Sequence, residues 1–85
     1  MQQIRVYTTN YCPFCDQAKI LLKKLNLNFE EIRLDQDFKL REQLSRDNNG
    51  WRTVPMIFVG DEFIGGFNEL AKLHREGRLT TLVEP

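Results

Sequence analysis

The spacing of hydrophobic and polar positions changes several times along the chain, and each change marks an element. Over residues 3 to 8 apolar and polar positions alternate, with Ile4 and Val6 on one face and Arg5 and Tyr7 on the other, the period-two pattern of a strand. Thr8 to Tyr11 read as a short loop. From Pro13 to about Leu25 the apolar residues Phe14, Ala18, Leu21, Leu22 and Leu25 recur at spacings of three and four. That predicts a helix with Pro13 in its first turn. Asn26-Leu27-Asn28 interrupts the pattern, and Phe29 to Leu34 reads as a second strand with Ile32 and Leu34 on one face.

Between Asp35 and about Asn48 only Phe38, Leu40 and Leu44 are apolar, which predicts a surface helix started by Asp35 or Asp37 and ended near Asn49-Gly50. Met56-Ile57-Phe58-Val59 and Glu62-Phe63-Ile64 flank Gly60-Asp61, a tight-turn pair, and so read as a hairpin. After Gly65-Gly66, Asn68 is placed to cap a helix running through Leu70, Leu73 and His74, with Gly77 just past its end. Leu79 to Val83 adds a last turn. The order is βαβ, a helix, a hairpin and a closing helix. A right-handed crossover extended by an antiparallel hairpin predicts an α/β fold whose four-stranded mixed sheet is flanked by helices, the thioredoxin-like arrangement.

Length adds that 85 residues hold material for one hydrophobic core, so residues 1–85 are expected to form a single domain. Twelve basic and twelve acidic residues cancel, leaving no long-range field to gather nucleic acid or anionic lipid. No apolar run approaches the roughly 20 residues of a membrane span. Met1-Gln2-Gln3-Ile4-Arg5 runs straight into a strand pattern and lacks the apolar stretch of a secretory signal. A cytoplasmic monomer that binds neither nucleic acid nor membrane is the expectation.

The chain's two cysteines stand together in Cys12-Pro13-Phe14-Cys15. A bridge closing a loop of about four residues stabilises a fold by roughly 1.9 kcal/mol, against about 4.7 for a loop of about 100. Such a pair is a poor staple and reads as redox or metal chemistry. Cys12 falls where loop hands over to helix, so its sulfur faces the unpaired N–H groups of the first turn, which favour the thiolate. Cys15, one turn further on the same side, is the resolving sulfur. A zinc site usually needs four ligands, and the only other soft ligand is His74, which reads as an ordinary surface or boundary residue, so no metal is expected.

Two further segments admit a plain reading and a functional one. Thr53-Val54-Pro55 is either a strand opened by proline or a cis Val54-Pro55 bond that leaves the Val54 N–H and C=O free to pair with an extended peptide beside Cys12. Gly65-Gly66-Phe67-Asn68 is either a capped hairpin-to-helix turn or a set of N–H groups for a carboxylate. Arg41 and Arg52 are candidates to add charge for an anionic ligand.

Together, Tyr11-Cys12-Pro13-Phe14-Cys15, Arg52-Thr53-Val54-Pro55 and Gly65-Gly66-Phe67-Asn68-Glu69 resemble, in this order and spacing, the glutaredoxin family over nearly the whole chain. The resemblance implies a dithiol, glutathione-dependent thiol–disulfide oxidoreductase acting on protein disulfides and glutathionylated proteins. It implies glutathione as electron-donating co-substrate, a cis bond at Pro55, and the γ-glutamyl carboxylate at Gly66, Phe67 and Asn68. Contacts from Tyr11, Pro13, Phe14, Arg52, Thr53 and Val54 follow from the same resemblance. The chain departs from the family pattern in having Thr9 where a basic residue is common, Phe14 where tyrosine is usual, and Asn68 where aspartate or serine is frequent. Two rivals stay open at this point: a redoxin served by thioredoxin reductase, and an iron–sulfur carrier whose cluster two chains hold through Cys12 and glutathione.

Overall fold

The computed structural model describes residues 2–84. β1 (Ile4–Thr8), α1 (Pro13–Lys24) and β2 (Phe29–Arg33) form the expected parallel crossover unit, and α2 (Phe38–Asp47) follows. β3 (Met56–Val59) and β4 (Glu62–Gly65) form the hairpin, and α3 (Phe67–Arg75) and α4 (Leu79–Val83) close the chain. The sheet order is β2-β1-β3-β4. β1 runs parallel to β2, with Val6 opposite Glu31, and antiparallel to β3, with Val6 opposite Ile57.

The alternation read in β1 does not leave one of its faces to solvent. Both faces of β1 and β3 are covered, so Tyr7 is buried as well as Ile4 and Val6, and all four residues of β3 are buried. One face carries Ile4, Val6, Ile57 and Val59 packed with Ala18 and Leu22 of α1, Leu70 of α3 and Leu79 and Val83 of α4. The opposite face carries Tyr7, Met56 and Phe58 with Leu34, and Leu40 and Leu44 of α2 pack on it. Burying side chains of this size contributes roughly 1.5–3 kcal/mol each, which makes these two layers the main stabilising feature.

The helix boundaries refine the sequence reading. α1 starts as expected, with Pro13 in its first turn. α2 is capped by Asp37, whose Oδ1 accepts the Leu40 N–H at 3.1 Å. α3 differs: its cap position is Gly66, and Asn68 lies inside the first turn. The reason is Glu69, whose Oε1 accepts the Gly66 N–H at 2.8 Å and so satisfies the helix start without an Asn cap. At the other end Gly77 takes a left-handed φ of 68°, with Gly77 N–H donating to His74 O and Arg78 N–H to Leu73 O. That is the Schellman closure expected of a glycine just past a helix.

Candidate active site

The end of β1 and the start of α1 determine where Cys12 sits. Asp35 accepts the Asn10 N–H at 2.8 Å and so anchors the loop between the two elements. This bond, followed by the Arg33 side chain, holds the Asp35 carboxyl below the usual carboxylate range. Tyr11 then takes a left-handed φ of 55°, and Cys12 becomes the cap residue of α1 with extended backbone. The Cys12 sulfur accepts the Cys15 N–H at 3.1 Å. Cys15 faces inward and is buried, whereas Cys12 is partly exposed. The two are joined by a disulfide, with Cα atoms 5.2 Å apart.

Opposite Cys12 lies the segment before β3. The Val54-Pro55 peptide is cis, and the Val54 carbonyl oxygen lies 3.6 Å from the Cys12 sulfur. Among the described residues, neither Val54 N–H nor Val54 C=O joins a backbone–backbone hydrogen bond. Beside this segment opens a cleft of about 320 Å³ lined by Phe14, Trp51, Thr53, Val54, Pro55, Gly66, Phe67, Asn68 and Glu69. The Phe14 and Phe67 rings stack across it with centroids 6.4 Å apart. The start of α3, with Gly66, Phe67 and Asn68, lines one side of it.

Three distant stretches therefore converge, and the structure brings Phe14, Thr53, Val54, Pro55, Gly66, Phe67 and Asn68 into one cleft beside Cys12. Tyr11, Pro13 and Arg52 lie outside its lining. Tyr11 projects wholly into solvent, and Pro13 and Arg52 are exposed. Arg41 donates to the Arg52 carbonyl at 3.1 Å, and both arginines line a neighbouring groove, so the cleft lining contains no basic side chain. Phe14, expected in the apolar stripe of α1, is 54% exposed and faces the cleft instead.

Trp51 and Glu69 were missed as cleft residues. The available signals were a lone tryptophan just before Arg52-Thr53-Val54-Pro55, and an acid at the third position of α3 where a capping carboxylate belongs.

Beneath the first turns of α1, the Thr8 hydroxyl donates to Glu31 at 2.7 Å and the Lys19 ammonium lies 3.0 Å from the same carboxylate. Partial burial works against the Glu31 charge, but Thr8, Lys19 and Arg33 outweigh it and hold the carboxyl below its ordinary value. Among the described residues no group of three or more His, Cys, Asp or Glu side chains is arranged to hold a metal ion. No helix among them is long and apolar enough to cross a membrane.

Comparison with known proteins places this geometry. The sequence profile of the glutaredoxin family matches residues 4–64. The chain is 40% identical over 83 residues to a glutaredoxin of Pseudomonas aeruginosa, covering 98% of both chains. A glutaredoxin of Neisseria meningitidis serogroup A is also 40% identical, over the full length of both. Among solved structures, the buckwheat glutaredoxin–glutathione complex superposes with a TM-score of 0.87 at 31% identity, covering 94% of this chain and 74% of that one. The solution structure of Brucella melitensis glutaredoxin gives a TM-score of 0.88 at 34% identity, covering 99% and 90%.

Proposed function

The chain belongs to the glutaredoxin family of thiol–disulfide oxidoreductases, and from that premise we propose that it reduces glutathione mixed disulfides and protein disulfides with electrons from glutathione. The observation that carries the proposal is Cys12 at the helix start, its sulfur accepting the Cys15 N–H and standing 3.6 Å from a Val54 carbonyl that edges a cleft of about 320 Å³. The buckwheat relative, solved as a glutathione complex with the same fold, supports glutathione as the occupant.

In this reading the glutathione backbone pairs with Val54, and its γ-glutamyl carboxylate meets the N–H groups of Phe67 and Asn68. The Cys12 thiolate attacks the glutathione sulfur of a protein mixed disulfide. A Cys12–glutathione disulfide forms, the disulfide bond between the glutathione and protein sulfurs breaks, and the protein thiolate leaves and takes up a proton. A second glutathione thiolate attacks the glutathione sulfur held on Cys12, releasing glutathione disulfide and restoring the Cys12 thiolate. On a protein disulfide, Cys12 forms a mixed disulfide with the target. Cys15 then attacks the Cys12 sulfur, freeing the target thiol and closing the Cys12–Cys15 bond. Two glutathione molecules reopen it.

The test is turnover of a small glutathione mixed disulfide with glutathione, glutathione reductase and NADPH, run beside a parallel assay with thioredoxin reductase and NADPH. Steady NADPH oxidation only in the first assay is expected. Turnover only in the second would assign the chain to the glutathione-independent redoxins.

A further inference from the structure

The loop that delivers Cys12 to the helix start holds a conformation that its own sequence does not favour. Tyr11, the residue just before Cys12, has φ of 55°. That region crowds the Cβ of any residue but glycine, and Asn and Asp enter it at the least cost among the others. The Tyr11 side chain lies wholly in solvent, so no packing within the chain offsets the strain. Backbone of this kind persists where bonds on either side leave it no alternative, and such places gather at active sites.

After Tyr11 the constraint is α1 itself: the Asp16 N–H donates to the Cys12 carbonyl at 3.1 Å, and the Cys15 N–H to the Cys12 sulfur at 3.1 Å. Before Tyr11 it is Asp35. The Leu34 N–H donates to the Thr8 carbonyl at 2.8 Å, and buried Leu34 thereby sets Asp35 beside the loop that leaves β1. Asp35 Oδ2 accepts the Asn10 N–H at 2.8 Å, while Oδ1 accepts from Arg33 Nε at 3.3 Å. Each carboxylate oxygen has its own partner, and the arginine keeps the group turned toward Asn10. The charged groups gathered here are Arg33, Asp35 and Asp37, which line one hollow with Asn10 and Gln36, and Asp37 is turned to the Leu40 N–H.

We propose that Asp35 is a positioning residue for the nucleophile: by holding the Asn10 N–H it keeps Tyr11 in its left-handed turn, and so sets the Cys12 sulfur against the N–H groups that favour its thiolate. The inference rests on the reading that Cys12 is the attacking sulfur. Asp35 is not among the residues that line the cleft, and its negative charge by itself disfavours a thiolate nearby. Removing the carboxylate therefore moves the thiol one way if Asp35 positions the loop and the opposite way if it acts only as a charge.

The experiment follows the rate of Cys12 alkylation against pH in reduced wild type, Asp35→Asn, Asp35→Ala and the double variant Asp35→Ala/Tyr11→Asn, with circular dichroism as the control for folding. Asp35→Ala should raise the midpoint by about half a pH unit, so that alkylation below it slows about threefold, the scale of one hydrogen bond. Asp35→Asn keeps an oxygen to accept the Asn10 N–H, and its midpoint should equal the wild-type value or fall slightly below it. In the double variant the asparagine at position 11 adopts the left-handed φ with little strain, which should restore the wild-type midpoint. In the unaltered protein, the Asn10 amide proton should shift together with the Asp35 carboxyl during acidification followed by nuclear magnetic resonance, a measurement that needs no variant to fold. Four results would each overturn the proposal: an Asp35→Ala midpoint at or below that of wild type, a rise in Asp35→Asn as large as in Asp35→Ala, a double variant no better than Asp35→Ala, or an Asn10 amide indifferent to Asp35. A wild-type midpoint at the free-thiol value would remove the nucleophile reading as well, whereas those four results remove the positioning role alone.

Discussion

Cys12 holds a position that helices usually give to serine, threonine, asparagine or aspartate, and its sulfur performs their task by accepting the Cys15 N–H at 3.1 Å. A thiolate accepts such a bond better than a thiol and also gains from the helix dipole. Alkylation of reduced protein should therefore reach half its maximal rate well below pH ~8.5, the value of a free thiol, with Cys12 labelled before buried Cys15. A midpoint at the free value, read by mass spectrometry of labelled peptides, would remove the nucleophile assignment. Glu31 gives the residue scale a second test. Its carboxyl titrates lower in the fold than in the unfolded chain, so its contribution is complete above the unfolded value near pH 4.5 and is lost as pH falls through the lower folded value. In urea titrations between pH 6 and pH 3 the wild type should lose about 1 kcal/mol more stability than Glu31→Gln. The cysteines were legible because both partners of the pair lie within one turn of chain. Trp51 was not, since its place in the cleft depends on contact with Gly66, fifteen residues along the sequence but adjacent in the fold.

The elements divide according to how local their cause is. α1 was readable because a full apolar stripe, a proline at its start and Asn26 after its end agree. α3 was read with the wrong cap: Asn68 has the right chemistry, but Glu69 already satisfies the Gly66 N–H, and that choice is made by the hairpin that delivers Gly65 and Gly66. Gly65 has φ of 122°, and a Cβ there would lie 2.8 Å from Glu69 Cγ. Gly65→Ala should destabilise the protein by about 1–3 kcal/mol in denaturant unfolding, by straining the joint and displacing the capping carboxylate. It should also raise the glutathione KM, because the same displacement disturbs the N–H groups of Phe67 and Asn68. An unaltered midpoint and KM would show that the joint tolerates a side chain. Phe14 escaped the helical pattern for a related reason: periodicity assigns it to the apolar stripe, whereas the convergence of α1 with α3 pairs it with Phe67 at the cleft.

At the scale of the molecule, the element order and crossover rules were sufficient for a four-stranded mixed sheet, and the structure supplies its order, β2-β1-β3-β4. Which residues meet at the site was less accessible, because Cys12, Val54 and Phe67 belong to different elements and the sheet alone brings them together. The layer between sheet and α1 carries the helix that presents Cys12. Leu22 is fully buried in that layer, so Leu22→Ala should cost about 2–5 kcal/mol in urea unfolding while leaving the pH midpoint of Cys12 alkylation unchanged in the folded protein. A shifted midpoint would mean that core packing, and not the helix start, sets the reactivity of the thiol. The most direct test of the whole account is turnover of a small glutathione mixed disulfide by Cys12→Ser and Cys15→Ser side by side. The account predicts no activity for Cys12→Ser, and activity equal to or above wild type for Cys15→Ser, which also accumulates covalent complexes with protein-disulfide targets. An inactive Cys15→Ser protein, or an active Cys12→Ser protein, would contradict it.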